Sequence, residues 1–209
     1  LLNVLEERDV QVRGYKINLP LDHVLFASAN PEDYTNRGRI ITPLKDRFGS
    51  QIRTHYPLEV ATEVEIARQE SSPFEADGVR VTVPDYMTEV VATLSHLARS
   101  SPHINQRSGV SVRFTITNQE VMVANAVRRA LRHGERDVAP RVSDLEALPA
   151  SMMGKSEIEA LEEGRDAQIA ENLVKAAVLT VFKDRFSPER FRPIVAAFEE
   201  GAVIHAGED

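Results

Sequence analysis

The 209-residue sequence contains no cysteine, which excludes a disulfide framework and any thiolate-bound metal. Its six histidines are scattered and form no His-x-x-x-His pair, so a helical zinc site is not expected. No Gly-x-Ser-x-Gly elbow occurs, which removes that hydrolase nucleophile. No apolar run approaches the length of a membrane span, and there is no signal-peptide pattern. A cytoplasmic protein without a membrane span is the expectation. Low-complexity tracts are absent as well. Positive charge is in deficit, with a formal net charge of −7. That argues against a chain-wide nucleic-acid footprint, so no DNA or RNA partner is expected, although a local basic patch is compatible with it.

Apolar residues make up 42% of the chain, enough for real cores in one large or two small domains. The organising stretch is Ser28 to Ser50. It begins where the apolar run Val24-Leu25-Phe26-Ala27 meets Asn30-Pro31. A short apolar run bounded by turn residues predicts a buried strand. Proline cannot donate to a ladder, so the strand should stop at Asn30. Asn30 then stands at a carboxyl tip, where open α/β sheets bind ligands. Downstream, Pro43-Leu44-Lys45-Asp46-Arg47-Phe48-Gly49 reads as a helical turn closed by glycine. Gln51 to Pro57 alternates again and predicts another strand.

Around this stretch the periodicity is clear. Val10 and Val12, then Tyr15, Ile17 and Leu19, alternate on both sides of Gly14 and predict a β-hairpin. Arg13 and Lys16 near its tip touch either a substrate or only water. Val60, Val64 and Ala67 mark a helix, with Glu59, Glu63 and Glu65 assigned to its solvated side. Ser71-Ser72-Pro73 and Asp77-Gly78 are loop signals and a candidate boundary. From there the pattern is almost wholly helical. Pro84 opens a helix with Met87, Val90, Val91, Leu94, Leu97 and Ala98 as its core face. A further helix is expected from about Asn105, with Arg107 in its first turn. Thr117-Asn118-Gln119-Glu120 reads as a capping box for a separate helix over Val121 to His133, closed by Gly134. Ile169, Leu173, Ala176, Ala177 and Val181 form a helical stripe, and Pro188 to Glu200 a last helix closed by Gly201.

A strand tip ending in Asn-Pro, then a Leu-x-Asp-Arg-Phe-Gly turn and another strand, resembles the second half of an AAA+ ATPase core. The magnesium-chelatase ATPase subunit and MoxR-type proteins are the most similar branch. The resemblance covers Leu1 to Pro57 well and fades beyond. It implies an α/β class followed by all-α: residues 1–70 as the C-terminal half of a P-loop NTPase core, 71–136 as a helical lid, and 137–209 as a helical extension. It implies that Asn30 is the sensor-1 residue and Arg47 an arginine finger acting in trans. Arg107 would be the sensor-2 arginine, with Arg113 as the alternative. An arginine in a first helical turn conflicts with the macrodipole, and an anion such as a γ-phosphate would relieve the conflict.

The same resemblance implies ATP and Mg²⁺ as cofactors, a ring of identical subunits, and a remodelled partner that often carries a von Willebrand A-type domain. The sequence starts within a helical pattern at Leu1, and the phosphate loop and Walker B acids would precede it. The chain alone is therefore not expected to hydrolyse ATP. Two other functions compete: a true magnesium-chelatase subunit acting on protoporphyrin, and a non-catalytic helical interaction module.

Two look-alikes are set aside. Gly154-Lys155-Ser156 echoes a phosphate loop, but the position of the required first glycine is Pro149 and no strand precedes it. Phe182 to Phe186 echoes Leu44 to Phe48, but it ends a long helix, where basic residues suit the dipole.

Overall fold

The computed structural model describes residues 9–18, 24, 26–28, 48–72, 74, 78–105, 109–155, 158 and 165–203. The chain forms two units, Leu1–His55 and Tyr56–Asp209.

In the first unit, strands β1 (Asp9–Val12) and β2 (Tyr15–Asn18) pair antiparallel, with Val12 opposite Tyr15 and Val10 opposite Ile17. Arg13 and Gly14 between them both have positive φ, 50° and 85°. Two such residues in a row make the turn whose twist matches the flanking strands. Glycine adopts it without steric cost, whereas Arg13 does not. This is the hairpin that the alternation predicts.

The other two strands read from the sequence are not formed among the described residues. Val24 and Phe26 are 80% and 90% exposed and belong to no ladder, and residues 51–57 run without regular structure, with Ile52 87% exposed. A strand satisfies its N–H and C=O groups only through a neighbour. No described strand pairs with either one. Asn30, Arg47 and the turn between them fall outside the described residues.

The second unit is built from helices, which close their hydrogen bonds internally. Helix α1 (Val60–Glu70) packs on α2 (Asp85–Ser100) and α3 (Val112–His133). The boundary expected near residue 71 is therefore displaced, and the division falls between His55 and Tyr56. On α2, Met87, Val91, Leu94 and Ala98 are fully buried, as the apolar spacing predicts. Pro84 sits one position before the first helical turn, where its missing N–H costs nothing.

Helix α3 corrects two expectations at once. It starts at Val112, not near Asn105, and it runs without a break to His133. The Thr117–Glu120 quartet is no cap. Asn118 accepts from the Ser151 hydroxyl, Gln119 Nε2 donates to Thr88 Oγ1 at 3.1 Å, and Glu120 Oε1 accepts from Ser72 N at 3.1 Å. Polar residues that cap an isolated helix here bond to neighbouring elements, and packing overrides local preference. The end of α3 is as expected. Gly134 takes φ 72°, and Glu135 N donates back to Ala130 O at 3.0 Å.

A two-residue parallel pair, β3 (Arg80–Val81) and β4 (Asp137–Val138), brackets α2 and α3. Beyond it come a 3₁₀ turn (Val142–Ala147), α4 (Leu148–Met153) and α5 (Arg165–Arg185). Helix α5 buries Ala170, Val174, Ala177 and Val181, at near-helical spacing, against α2 and α4. Residues expected to form a separate extension thus share the core of the helical unit. The chain continues through a second 3₁₀ turn (Pro188–Phe191) into α6 (Arg192–Glu199), which buries no residue. Gly154 and Lys155 follow the end of α4, so no strand-loop-helix context supports phosphate binding there. Among the described residues, no helix is long and apolar enough to cross a membrane.

Candidate functional site

Helix α1 carries Glu63 on its inner face. Val60, Glu63, Val64 and Ala67 follow the i, i+3, i+4, i+7 spacing of one helical stripe, and Glu63 is fully buried. The assignment of Glu63 to the solvated side is therefore wrong, while Glu59 and Glu65 are exposed as expected. A carboxylate taken out of water needs partners for its charge and its lone pairs. Arg99 of α2 supplies a two-pronged grip, Nη1 to Oε2 and Nη2 to Oε1, each at 2.6 Å. The planar fork matches both oxygens at once, which lysine cannot do. The Thr115 hydroxyl of α3 donates to Oε1 as well. His96 Nε2 lies 2.9 Å from Oε2 but off the line of a hydrogen bond.

The rest of Arg99 is used too. Its Nε donates to the Val110 carbonyl at 2.9 Å, and its guanidinium stacks 4.8 Å from the Tyr56 ring centre. Ser95 Oγ lies 2.7 Å from Thr115 Oγ1 and 3.2 Å from the Val91 carbonyl. Because Thr115 gives its hydrogen to Glu63, it accepts from Ser95, and the chain of donors runs Ser95 to Thr115 to Glu63. One buried acid thus joins α1, α2 and α3 to the segment leading into α3.

That segment is also fixed by its backbone. Gly109 has φ 66°, and a Cβ there would collide with the Tyr56 hydroxyl. Any other residue would be strained by its conformation and would have to displace that hydroxyl. Tyr56, Gly109, Val110 and Thr115 together brace the start of α3 from both sides of Arg113.

Arg113 stands in the first turn of α3, is exposed, and has no ion-pair partner among the described residues. No acid lies in that turn, and the side chain of Ser111 does not cap it. A helix start with no carboxylate in its first turn and one exposed guanidinium favours an anion. Of the predicted site residues, this is the one the structure describes. Asn30, Arg47 and Arg107 lie outside the described residues. Since α3 begins at Val112, the first-turn criterion applied to Arg107 is met by Arg113 instead.

A second buried polar cluster is structural. Arg129 donates to both oxygens of Asp144 at 3.1 Å and to the Ala139 carbonyl at 2.9 Å. The hydrogen bonds to Asp144 raise the Arg129 pKa, against the effect of burial, so the group stays cationic. Asp144 also accepts from Arg141 N at 2.8 Å, which locks the 3₁₀ turn to α3. Among the described residues there is no cluster of three acids or histidines able to hold a metal.

Sequence reasoning missed the brace because it judged Glu63 by charge and not by position. The signal was available, since Glu63 fills a core register of α1. Arg99 and Thr115 carried no comparable mark. No protein-family model, curated protein or solved structure matches the chain.

Proposed function

We propose that the chain is part of an AAA+ ATPase of the chelatase or MoxR type, coupling ATP hydrolysis in a ring to remodelling of a partner protein. The observation that carries this reading furthest is the braced start of α3 with Arg113 exposed upon it. Arg113 takes the sensor-2 role, binding the γ-phosphate from the helical unit, and Glu63, Arg99 and Thr115 hold it in place. Asn30 takes the sensor-1 role and orients the attacking water. Arg47 reaches the site of the neighbouring subunit.

The chemistry of the donor set fits an anion and not a metal. Arg113 suits a phosphate, while no described carboxylate cluster suits Mg²⁺. Magnesium is held in such ATPases by the phosphate loop and the Walker B acid. This sequence has no Gly-x-x-x-x-Gly-Lys-Ser/Thr stretch, so on this reading the chain does not itself supply that loop.

The test is a mixing experiment on the protein that carries both parts. Arg47→Ala should abolish hydrolysis and leave ATP binding within a few fold. A guanidinium supplied across an interface contributes about 10³–10⁵ in rate. Mixing that variant with a phosphate-loop mutant should restore some turnover, because each supplies the half-site the other lacks. A mixture that stays inactive although mixed rings form removes the trans role.

The interaction-module reading is favoured by a separate observation, an apolar groove and an unpartnered helix in the last third of the chain.

A further inference from the structure

A groove of about 640 Å³ lies between the 3₁₀ turn, α4 and α5. Val142, Leu145, Val174, Val178, Leu179 and Phe182 make its floor, with Glu146, Glu171 and Lys175 on its lining. The chain also carries an apolar helix face that is exposed among the described residues. On α6, Ile194, Val195 and Phe198 follow i, i+1, i+4 spacing and are 44%, 54% and 58% exposed. We infer that α6 of one copy docks into this groove on a second copy, parallel to α5.

Length and charge order choose that occupant. The α5 residues that line the groove, Glu171 to Phe182, cover about 18 Å, and α6 covers about 12 Å, at 1.5 Å per residue. Along α5 the groove runs from acid to base. Glu171 lies at one end, with Glu146 nearby on the 3₁₀ turn, and Lys183 follows Phe182 at the other. Lys175 is engaged by Glu171 at 3.5 Å, and Glu146 has no ion pair among the described residues. Helix α6 runs the opposite way, from Arg192 at its first position to Glu199 at its last. Parallel docking therefore sets opposite charges together at both ends.

Docking within one chain sets like charges together. Helix α6 follows α5 through the short Phe186–Phe191 connection, and two helices joined in that way lie antiparallel. Arg192 would then fall beside Lys183, and Glu199 beside Glu171. The connection is itself anchored at the groove's end, where Phe182, Phe186 and Phe191 pack with ring centres 5.2–5.8 Å apart. Charges of this kind select register and partner more than they add affinity. The apolar face supplies the affinity. Because helix and groove are different surfaces, two copies either exchange helices about a twofold axis or repeat the contact head-to-tail into a ring or filament.

The inference does not depend on ATP hydrolysis, so it is tested without nucleotide. Mass in solution is measured by light scattering over an about hundredfold range of concentration, a span that crosses a midrange Kd. The wild-type chain should associate as concentration rises. Phe198→Asp and Leu179→Asp change exposed side chains and should each stay monomeric with unchanged circular dichroism. Their equimolar mixture should form a one-to-one pair, since one variant keeps the groove and the other keeps the helix. Glu171→Arg should weaken association by about tenfold or more, and adding Arg192→Glu should restore it. A wild-type chain that stays monomeric, a Phe198→Asp variant that associates like wild type, or a mixture that stays monomeric overturns the inference.

Discussion

Phe26 and Leu94 are both large and apolar, yet Phe26 is 90% exposed and Leu94 fully buried. The difference follows the two units of the chain. In Tyr56–Asp209 the apolar residues lie on helices, whose backbone is satisfied before any packing occurs. Pairing two such stripes then needs only a modest approach of neighbouring elements. In Leu1–His55 several apolar stretches, such as Val10 to Leu19 and Val24 to Ala27, have strand-like patterns, and strand backbone is unsatisfied until another strand arrives. Among the described residues β1 and β2 meet this need locally, through a two-residue turn. Apolar patterning therefore decides structure where hydrogen bonding is local and leaves it undecided where pairing is distant.

The largest effect should come from the brace. Glu63→Ala leaves Arg99 buried without its partner, and breaking such a pair costs about 3–5 kcal/mol. Urea unfolding followed by helical circular dichroism should show that loss. Replacing both residues, Glu63→Leu with Arg99→Met, should be milder than either single change, because no charge stays stranded. Additive losses would mean that the two residues are not coupled.

Next in size is the contrast itself. Leu94→Ala should destabilise by about 2–5 kcal/mol through the cavity it leaves. Phe26→Ala and Ile52→Ala should stay within about 0.5 kcal/mol, as exposed positions do. A large loss at Phe26 would show that it is covered in solution and would break the comparison.

Those positions also mark what was legible in the sequence. The faces of α2 and α5, the glycine stop at Gly134 and the hairpin about Gly14 all rest on local periodicity or on φ, and each is visible in single residues. The unbroken run of α3 was not, because Thr117 to Glu120 has the composition of a cap and becomes mid-helix only through Ser151, Thr88 and Ser72. Glu63 was half legible, with its register right and its charge misleading. Arg113 is only the alternative on the sequence, because the pattern predicts a helix start near Asn105 and the conformation of Gly109 cannot be read from its name.

A smaller effect is expected at Gly109. Gly109→Ala forces a Cβ into a left-handed conformation and against Tyr56, at a cost of about 1–2 kcal/mol or more. The same denaturation experiment measures it, and Tyr56→Phe in the same chain should recover part of the loss by removing the hydroxyl.

The smallest effect lies at the start of the second 3₁₀ turn. The Ser187 hydroxyl donates to Glu189 and holds its carboxyl below the usual range. A lowered folded pKa means that the contribution is present above the unfolded value and disappears as pH falls through the folded one. Titration of Glu189 by NMR should show the depressed value, and Ser187→Ala should move it upward. An unchanged titration would remove the hydroxyl as its cause.

The central claim is that the brace exists to present Arg113 to a phosphate. Its most direct measurement is steady-state ATP turnover by the protein that carries the phosphate loop together with this chain, wild type against Arg113→Ala. The account predicts a fall of about 10²–10³ in kcat, the scale seen when one positioned donor to developing charge is removed, with the melting temperature unchanged because Arg113 is exposed. Turnover equal to wild type in a folded Arg113→Ala variant would contradict it.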